Sequence, residues 1–346
     1  MNIGIIGTGF VGTAVFEGMK HAVEVLAWDK AKGWQSSKSN EPPVVHDEYG
    51  GYRPDLYICT PVDQIKMEKD KEHPYSDPGH SDIYYLMKHT WGPVFICVPT
   101  PMRSDGTCDL SIVESVVMEA DQAAADVEAW HRSQESYDGT PFARRVLVIK
   151  STIPPGTTKR LNDKCKHTIV CFNPEFLTER TYIDDFKNQD RIILGGPHEG
   201  TAVLKQLYQK TYPNVPTTKT SSTIAEMIKY VTNCFLATKV SFANEIAQIC
   251  DKLDIDYDKV VEYATKDKRL GTSHWAVPGH DGHLGFGGSC FCKDINALMS
   301  LAKELGVKTT VMDAAWEKNL EVRPERDWEK LKGRAVSEEQ CLNTNT

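Results

Sequence analysis

Cys290 stands in the segment GFGGSCFCKD, with glycines at 285, 287 and 288 before it and Lys293 and Asp294 after it. The residues that follow read as a helix start. A thiol there feels the helix N-terminus and a nearby ammonium, and both favour the thiolate, the form that attacks carbonyl carbon. Dense glycine would also let a substrate carbon come close. Taken alone, the pattern equally fits a buried cysteine in a tight turn. A second pattern opens the chain: Gly7-Thr8-Gly9-Phe10-Val11-Gly12 follows an apolar run and precedes a helical one, and Asp29 ends the next apolar run. In such a loop the first glycine permits the turn, the second admits a pyrophosphate and the third lets helix and strand pack. An acid at Asp29 accepts from a ribose 2′-hydroxyl and repels a 2′-phosphate, which favours NAD over NADP. A third pair, Lys229 and Asn233, lies four apart and so shares one helix face, where two polar exposed residues would look the same.

These groups need a frame. NIGII at 2–6, VEVLAW at 23–28, DLYICT at 55–60, VFICV at 94–98, RVLVIK at 145–150, HTIVCF at 167–172 and RIILGG at 191–196 read as short buried strands separated by helix or loop. That alternation predicts α/β architecture with a parallel sheet. Residues 30–92 are the least regular part, and 121–139 read as a polar, solvated helix or loop. From Ser221 the chain runs some thirty residues without Gly or Pro, with apolar side chains at helical spacing, predicting one long helix over 222–252. Ser221, Ser222 or Thr223 can cap it, with Glu226 as capping-box partner of Thr223. Shorter helices are expected near 256–265 and 293–305, and 312–346 reads as polar.

Composition narrows the function classes. The 346 residues suit two domains. A net charge of −8 without a Lys/Arg run argues against nucleic acid as a partner, so an anionic substrate would need a local positive cleft. The ten cysteines lie mostly in apolar runs, as reduced thiols do, and no leader or membrane-length run is visible. The expectation is a cytoplasmic protein with no membrane partner.

Several ordered stretches, among them GIIGTGFVG (4–12), ICVPTP (96–101) followed by DGTCDLS, KSTIPPGTT (150–158), NPEFLTE (173–179), DRIILGG (190–196), AEMIKYVTNCFLATKVSFANEIAQIC (225–250) and VPGHDGHLGFGGSCFCKD (277–294), make the sequence resemble the UDP-glucose/GDP-mannose dehydrogenase family. The resemblance implies a Rossmann-type NAD-binding domain over 1–200, an all-α central dimerisation domain over 201–320, and a tail over 321–346 in place of the family's C-terminal nucleotide-gripping domain. It implies a four-electron oxidation at C6 of a nucleotide-linked hexose, UDP-glucose first among candidates, consuming two NAD. Cys290 would form a thiohemiacetal and then a thioester, with Lys229 and Asn233 at the oxygen on C6. Asp294 and Thr152 would hold a water, Glu179 would serve as base, and Glu175 would lie nearby. Gly7, Gly9, Phe10, Val11, Gly12, Asp29, Pro99, Thr100, Thr152 and Lys293 would contact the cofactor. Phe176, Leu177, Lys229, Asn233, Arg269, Phe286 and Gly287 would contact the substrate. Arg269 matches an arginine used across a dimer interface, and the long helix would carry a homodimer.

Three departures stand out. Cys292 replaces the usual proline after Cys-Phe and is expected as an accessory thiol beside the nucleophile; the nearby histidines 274, 280 and 283 do not make a zinc spacing, and no metal is expected. Residues 30–92 match poorly. The sequence stops soon after WEKLKGR, which leaves open a second reading: an NAD-binding partner subunit that needs a further domain in trans.

Overall fold

The computed structural model describes residues 1–37, 81–134, 137 and 139–338. They form two compact units: one of the described residues up to 98 with those in 111–151 and 155–226, the other of residues 99–110, 152–154 and the described residues from 227 on. The sequence reading divides the chain at 200, whereas the sheet unit continues through a further strand to Glu226. The strand expected at 55–60 lies outside the described residues.

The first unit is built on β1 (Asn2–Ile6), α1 (Phe10–Met19), β2 (Glu24–Asp29), β3 (Gly33–Ser36), α2 (Asp82–His89), β4 (Val94–Ile96), α3 (Ser111–Ser133), β5 (Arg145–Ile149), α4 (Thr157–Lys164), β6 (Thr168–Phe172), α5 (Tyr182–Lys187), β7 (Ile192–Gly195), α6 (His198–Thr211) and β8 (Thr217–Thr220). The strands form one eight-stranded sheet in the order β3-β2-β1-β4-β5-β6-β7-β8. Pairing is parallel except between β2 and β3 and between β6 and β7. Alternate residues such as Ile3, Ile5, Val25, Phe95, Val148 and Leu194 pack under α1, α5 and α6. Residues of opposite parity, Ile6, Leu26, Ile96, Leu147 and Phe172, are buried too, so both faces are covered and the strands read as unbroken apolar runs. Strand order reverses between β1 and β4. That switch point, outside the carboxyl ends of the strands, is where open α/β sheets take nucleotide ligands.

Two expectations are corrected within this unit. The segment beginning at 121 is not a solvated face up to the end of α3: Asp121, Ala123, Ala124 and Val127 are buried. The Asp121 carboxylate accepts from the N–H groups of Lys166, His167 and Thr168 and from Thr168 Oγ1, at 2.7–3.0 Å. Burial alone would raise its pKa, but these four donors outweigh it and hold the group below the usual carboxylate range. A polar residue in sequence is here the cap on the entry to β6. Glu226 likewise does not close a capping box with Thr223; its carboxylate accepts from Gly156 N at 2.6 Å and Thr158 N at 2.7 Å, capping α4. Gly156 precedes that helix at φ 96°, a conformation glycine adopts without strain. The long helix takes its cap from Ser221 Oγ, which accepts from Ile224 N at 3.3 Å.

The second unit is mainly helical. α7 (Ser222–Lys252) runs into it and is followed by α8 (Tyr257–Ala264), α9 (Phe291–Glu304), α10 (Thr310–Val322) and a short 3-10 turn at Asp327–Lys330. Its core joins Tyr230, Cys234 and Ala237 of α7 to Phe286, Cys292, Ile295, Ala315, Trp328 and Val336. The expected tail therefore contributes core: Trp328 is buried, and the chain from Lys332 bridges back to Met102 through Val336. Among the described residues no helix is long and apolar enough to cross a membrane.

Candidate active site

In the sheet unit, the glycine loop follows β1 at the switch point, and the start of α1 faces out of it. Gly7 has φ 88°, and a Cβ there would sit 2.9 Å from Cys97 O; a Cβ on Gly12 would lie 1.9 Å from Gly7 O. Gly9 faces open space, with nothing within 4 Å of a Cβ. Turn, open approach and helix packing thus fall on Gly7, Gly9 and Gly12 in that order, which is the cradle a pyrophosphate needs. Asp29 ends β2, and its carboxylate accepts from Thr8 N at 2.7 Å and from the N–H groups of Ala31 and Lys32. Burial opposes its ionisation, but those backbone donors and the Lys32 ammonium prevail and lower its pKa, so it is an acceptor at neutral pH. These residues fit a dinucleotide with a free ribose 2′-hydroxyl. Phe10 packs edge-on against Tyr182 at 5.1 Å between ring centroids, and Val11 packs on the core.

The NPEFLTE segment leaves β6 in the same unit. Asn173 anchors it: its side chain donates to Ile193 O and its Oδ1 accepts from Lys150 Nζ and the Tyr208 hydroxyl. Glu175 Oε2 accepts from Leu177 N at 2.7 Å, Phe176 lies under the Arg191 guanidinium at 4.2 Å, and Glu179 is exposed.

The thiol and its neighbours belong to the helical unit. Cys290 occupies the N-cap position of α9 and is exposed, where the helix dipole favours negative charge. One turn in, the buried Lys293 ammonium pairs with Asp294 Oδ1, and Asn233 Nδ2 donates to Asp294 Oδ2 at 2.6 Å. Lys229 is buried one turn earlier on α7. Desolvation would lower the Lys293 pKa, but Asp294, Cys290 and Cys108 more than offset it and raise it, so the ammonium persists beside both thiols. Thr100 Oγ1 donates to Thr152 O at 2.8 Å, and Thr100, Cys108, Lys293 and Asp294 line one small pocket. Pro99 belongs to the same unit.

Burial separates the thiols around this ion pair. Cys108 is pushed up to about 11, chiefly by burial, and burial also raises Cys234. Cys292, expected as an accessory thiol, is fully buried, donates to Phe286 O at 3.6 Å and is raised well above the ordinary thiol value. It replaces a proline as core filling. Cys290 alone among these four is exposed.

The structure brings together Cys290, Lys293, Asp294 and Asn233, with Lys229, Thr100 and Thr152 in the same unit. Glu175, Phe176, Leu177 and Glu179 lie in the sheet unit. Phe286 packs its ring in the core against Phe291 and Trp316, and a Cβ on Gly287 would strike the side chains of Arg323 and Asp327. Close approach of substrate is therefore not what these two positions of the glycine run require. Arg269 is exposed and pairs with Asp267 two residues away. Among the described residues no cluster of metal ligands occurs. Cys108, Asn319, Arg323 and Asp327 were not singled out in sequence; the last three fall in a stretch whose polar composition masks the spacing of Trp316, Leu320 and Trp328.

The sheet unit carries a dinucleotide cradle on a doubly wound sheet, and the helical unit carries an exposed thiol at a helix start beside an ion pair. Residues 89–212 match the NAD binding domain of the UDP-glucose/GDP-mannose dehydrogenase family, and residues 223–321 match that family's central domain. UDP-glucose 6-dehydrogenase TuaD of Bacillus subtilis is 36% identical over 289 residues, 76% of this chain and 57% of that protein. The UDP-glucose 6-dehydrogenase of Rickettsia bellii is 31% identical, covering 93% of this chain and 67% of that protein. A UDP-glucose dehydrogenase structure from Pyrobaculum islandicum superposes with a TM-score of 0.67 at 26% identity, covering 92% of this chain and 67% of that one. The chain belongs to the UDP-glucose/GDP-mannose dehydrogenase family, whose NAD binding domain identifies the dinucleotide as NAD. It spans little more than half the length of TuaD.

Proposed function

We propose that the chain oxidises a primary alcohol at C6 of a nucleotide-linked hexose to the carboxylate, with UDP-glucose as substrate and Cys290 as nucleophile. The observation that carries the proposal is the exposed Cys290 thiol at the start of α9, beside the buried Lys293–Asp294 pair that Asn233 fixes. NAD, when bound, supplies the hydride acceptor. Lys229 and the second amide N–H of Asn233 hold the oxygen on C6 and favour its negative charge as the alcohol gives up its hydrogen. The Cys290 thiolate then adds to the aldehyde carbon, forming a thiohemiacetal. A second oxidation converts this to a thioester. Asp294 and Thr152 orient a water that adds to the thioester carbon, the C–S bond breaks, and the acid leaves as the thiol is restored. Asn233 is pre-set for its part, because its bond to Asp294 fixes the amide plane.

UDP-glucose is favoured over GDP-mannose because the named relatives with the higher identities are UDP-glucose 6-dehydrogenases, and because SHWAVPGHDGHLGFGG reads closer to those members. The test supplies the purified chain with NAD and, in turn, UDP-glucose, GDP-mannose and UDP-N-acetylmannosamine. NADH should form fastest with UDP-glucose. NAD binding without NADH from any of the three sugars would contradict the proposal.

A homodimer through the long helix is proposed as well. Ile224, Val231, Phe235, Phe242 and Ile249 are all exposed along α7, Phe235 at 67%. Each would gain about 1.5–3 kcal/mol if fully buried. Sedimentation should return about twice the chain mass of 38.8 kDa, and a concentration-independent monomer would rule the dimer out.

A further inference from the structure

We infer that Arg323, with Asn319 and Asp327, is a clamp that positions the Cys290 sulfur by gripping the bare backbone of residues 284–288. The inference rests on the proposal that Cys290 is the nucleophile. The segment from Gly279 to Gly288 holds five glycines, a backbone that loses much conformational freedom on ordering. Cys290 itself makes no side-chain cap bond to α9. The loop before it enters directly into the N-cap position, so what holds that loop bears on where the sulfur sits.

That hold comes from the buried Asn244, Asn319 and Arg323, with the more exposed Asp281 and Asp327 as acids. Asn319 Oδ1 accepts from Phe286 N at 2.7 Å and its Nδ2 donates to Phe286 O at 3.0 Å, fixing both backbone groups of one residue. Asn244 Oδ1 accepts from Gly285 N at 3.1 Å. One turn beyond Asn319, Arg323 Nη1 donates to Leu284 O at 3.3 Å. Its other nitrogens bind Asp327 at 2.6 and 3.0 Å and Asp281 at 2.7 Å, tying the loop's acid to the 3-10 turn. Asp327 also accepts from Gly288 N. Arg334 Nη2 reaches Ser289 Oγ at 3.5 Å, and that hydroxyl lies 3.9 Å from Cys290 Sγ.

The glycines follow from the clamp. A Cβ on Gly285 would sit 2.4 Å from Asn319 Oδ1, and one on Gly287 would sit 2.4 Å from Arg323 Nη2 and 2.6 Å from Asp327 Oδ2. Side chains this close to the backbone leave the loop one conformation. The guanidinium fork is required, because a lysine ammonium cannot span Leu284 O, Asp281 and Asp327 together.

Arg323→Lys and the milder Asp281→Asn test the clamp. For each, the alkylation rate of Cys290 by iodoacetamide is read by mass spectrometry of its peptide, with kcat, the KM for NAD and the Tm. Alkylation should slow, and kcat should fall roughly tenfold to a hundredfold, the scale of an ångström-sized misplacement, with the KM for NAD little changed. A lower Tm with wild-type alkylation and kcat in both variants would reduce Arg323 to a stabilising residue and overturn the inference. Slowed alkylation with wild-type kcat would keep the clamp and remove Cys290 from the reaction.

Discussion

Cys290→Ser is expected to lower acid formation by roughly three orders of magnitude or more, the scale seen when a covalent nucleophile is removed, while leaving NAD affinity unchanged. The separation follows from where the groups lie. The cradle of Gly7, Gly9, Gly12 and Asp29 belongs to the sheet unit, and Cys290 to the helical one. A hydroxyl at 290 is nearly isosteric but stays protonated beside Lys293, so the step to a covalent adduct fails. Isothermal titration with NAD and product analysis by mass spectrometry measure the two quantities separately. Acid production at the wild-type rate from the serine variant would remove the covalent role.

Lys293→Met should be the most damaging single change to stability at the site. It leaves Asp294, which is 1% exposed, as a buried carboxylate without its cation. Breaking a buried pair by deleting one partner costs about 3–5 kcal/mol, read as a shift of the denaturant midpoint. The thiol should also react more slowly with iodoacetamide, since the ammonium that favours its anion is gone. Lys293→Met with Asp294→Leu separates the effects: stability should return in large part, and thiol reactivity and turnover should not. Full turnover by the double variant would show that the pair serves only the fold.

Much of this site was legible because its local signals agree. The loop from Gly7 to Gly12 sits between a clear strand and a clear helix, and Asp29 ends the following strand, so spacing alone marked the turn, the open backbone and the close packing that the three glycines show. The long helix was legible from its period, its bounds agreeing with Ser222–Lys252. What escaped were polar residues whose partners are distant in sequence. Asp121 serves residues 166–168, and Glu226 serves Gly156 and Thr158 rather than its own helix. Neither pairing leaves a local pattern. Cys292 failed for a related reason: adjacency to a nucleophile says nothing about which way a helix turns a side chain, and α9 turns this one into the core. Arg323 and Asn319 were hidden in a segment of polar composition; Asn319 binds backbone groups of Phe286, and Arg323 binds Leu284 O and the distant Asp281, partners that no local spacing reveals.

The count of NADH formed per UDP-glucose consumed by the purified chain tests the central claim most directly. Two NADH per sugar, with the 6-carboxylate as product and no free aldehyde, is the predicted result. One NADH per sugar with aldehyde released would contradict it.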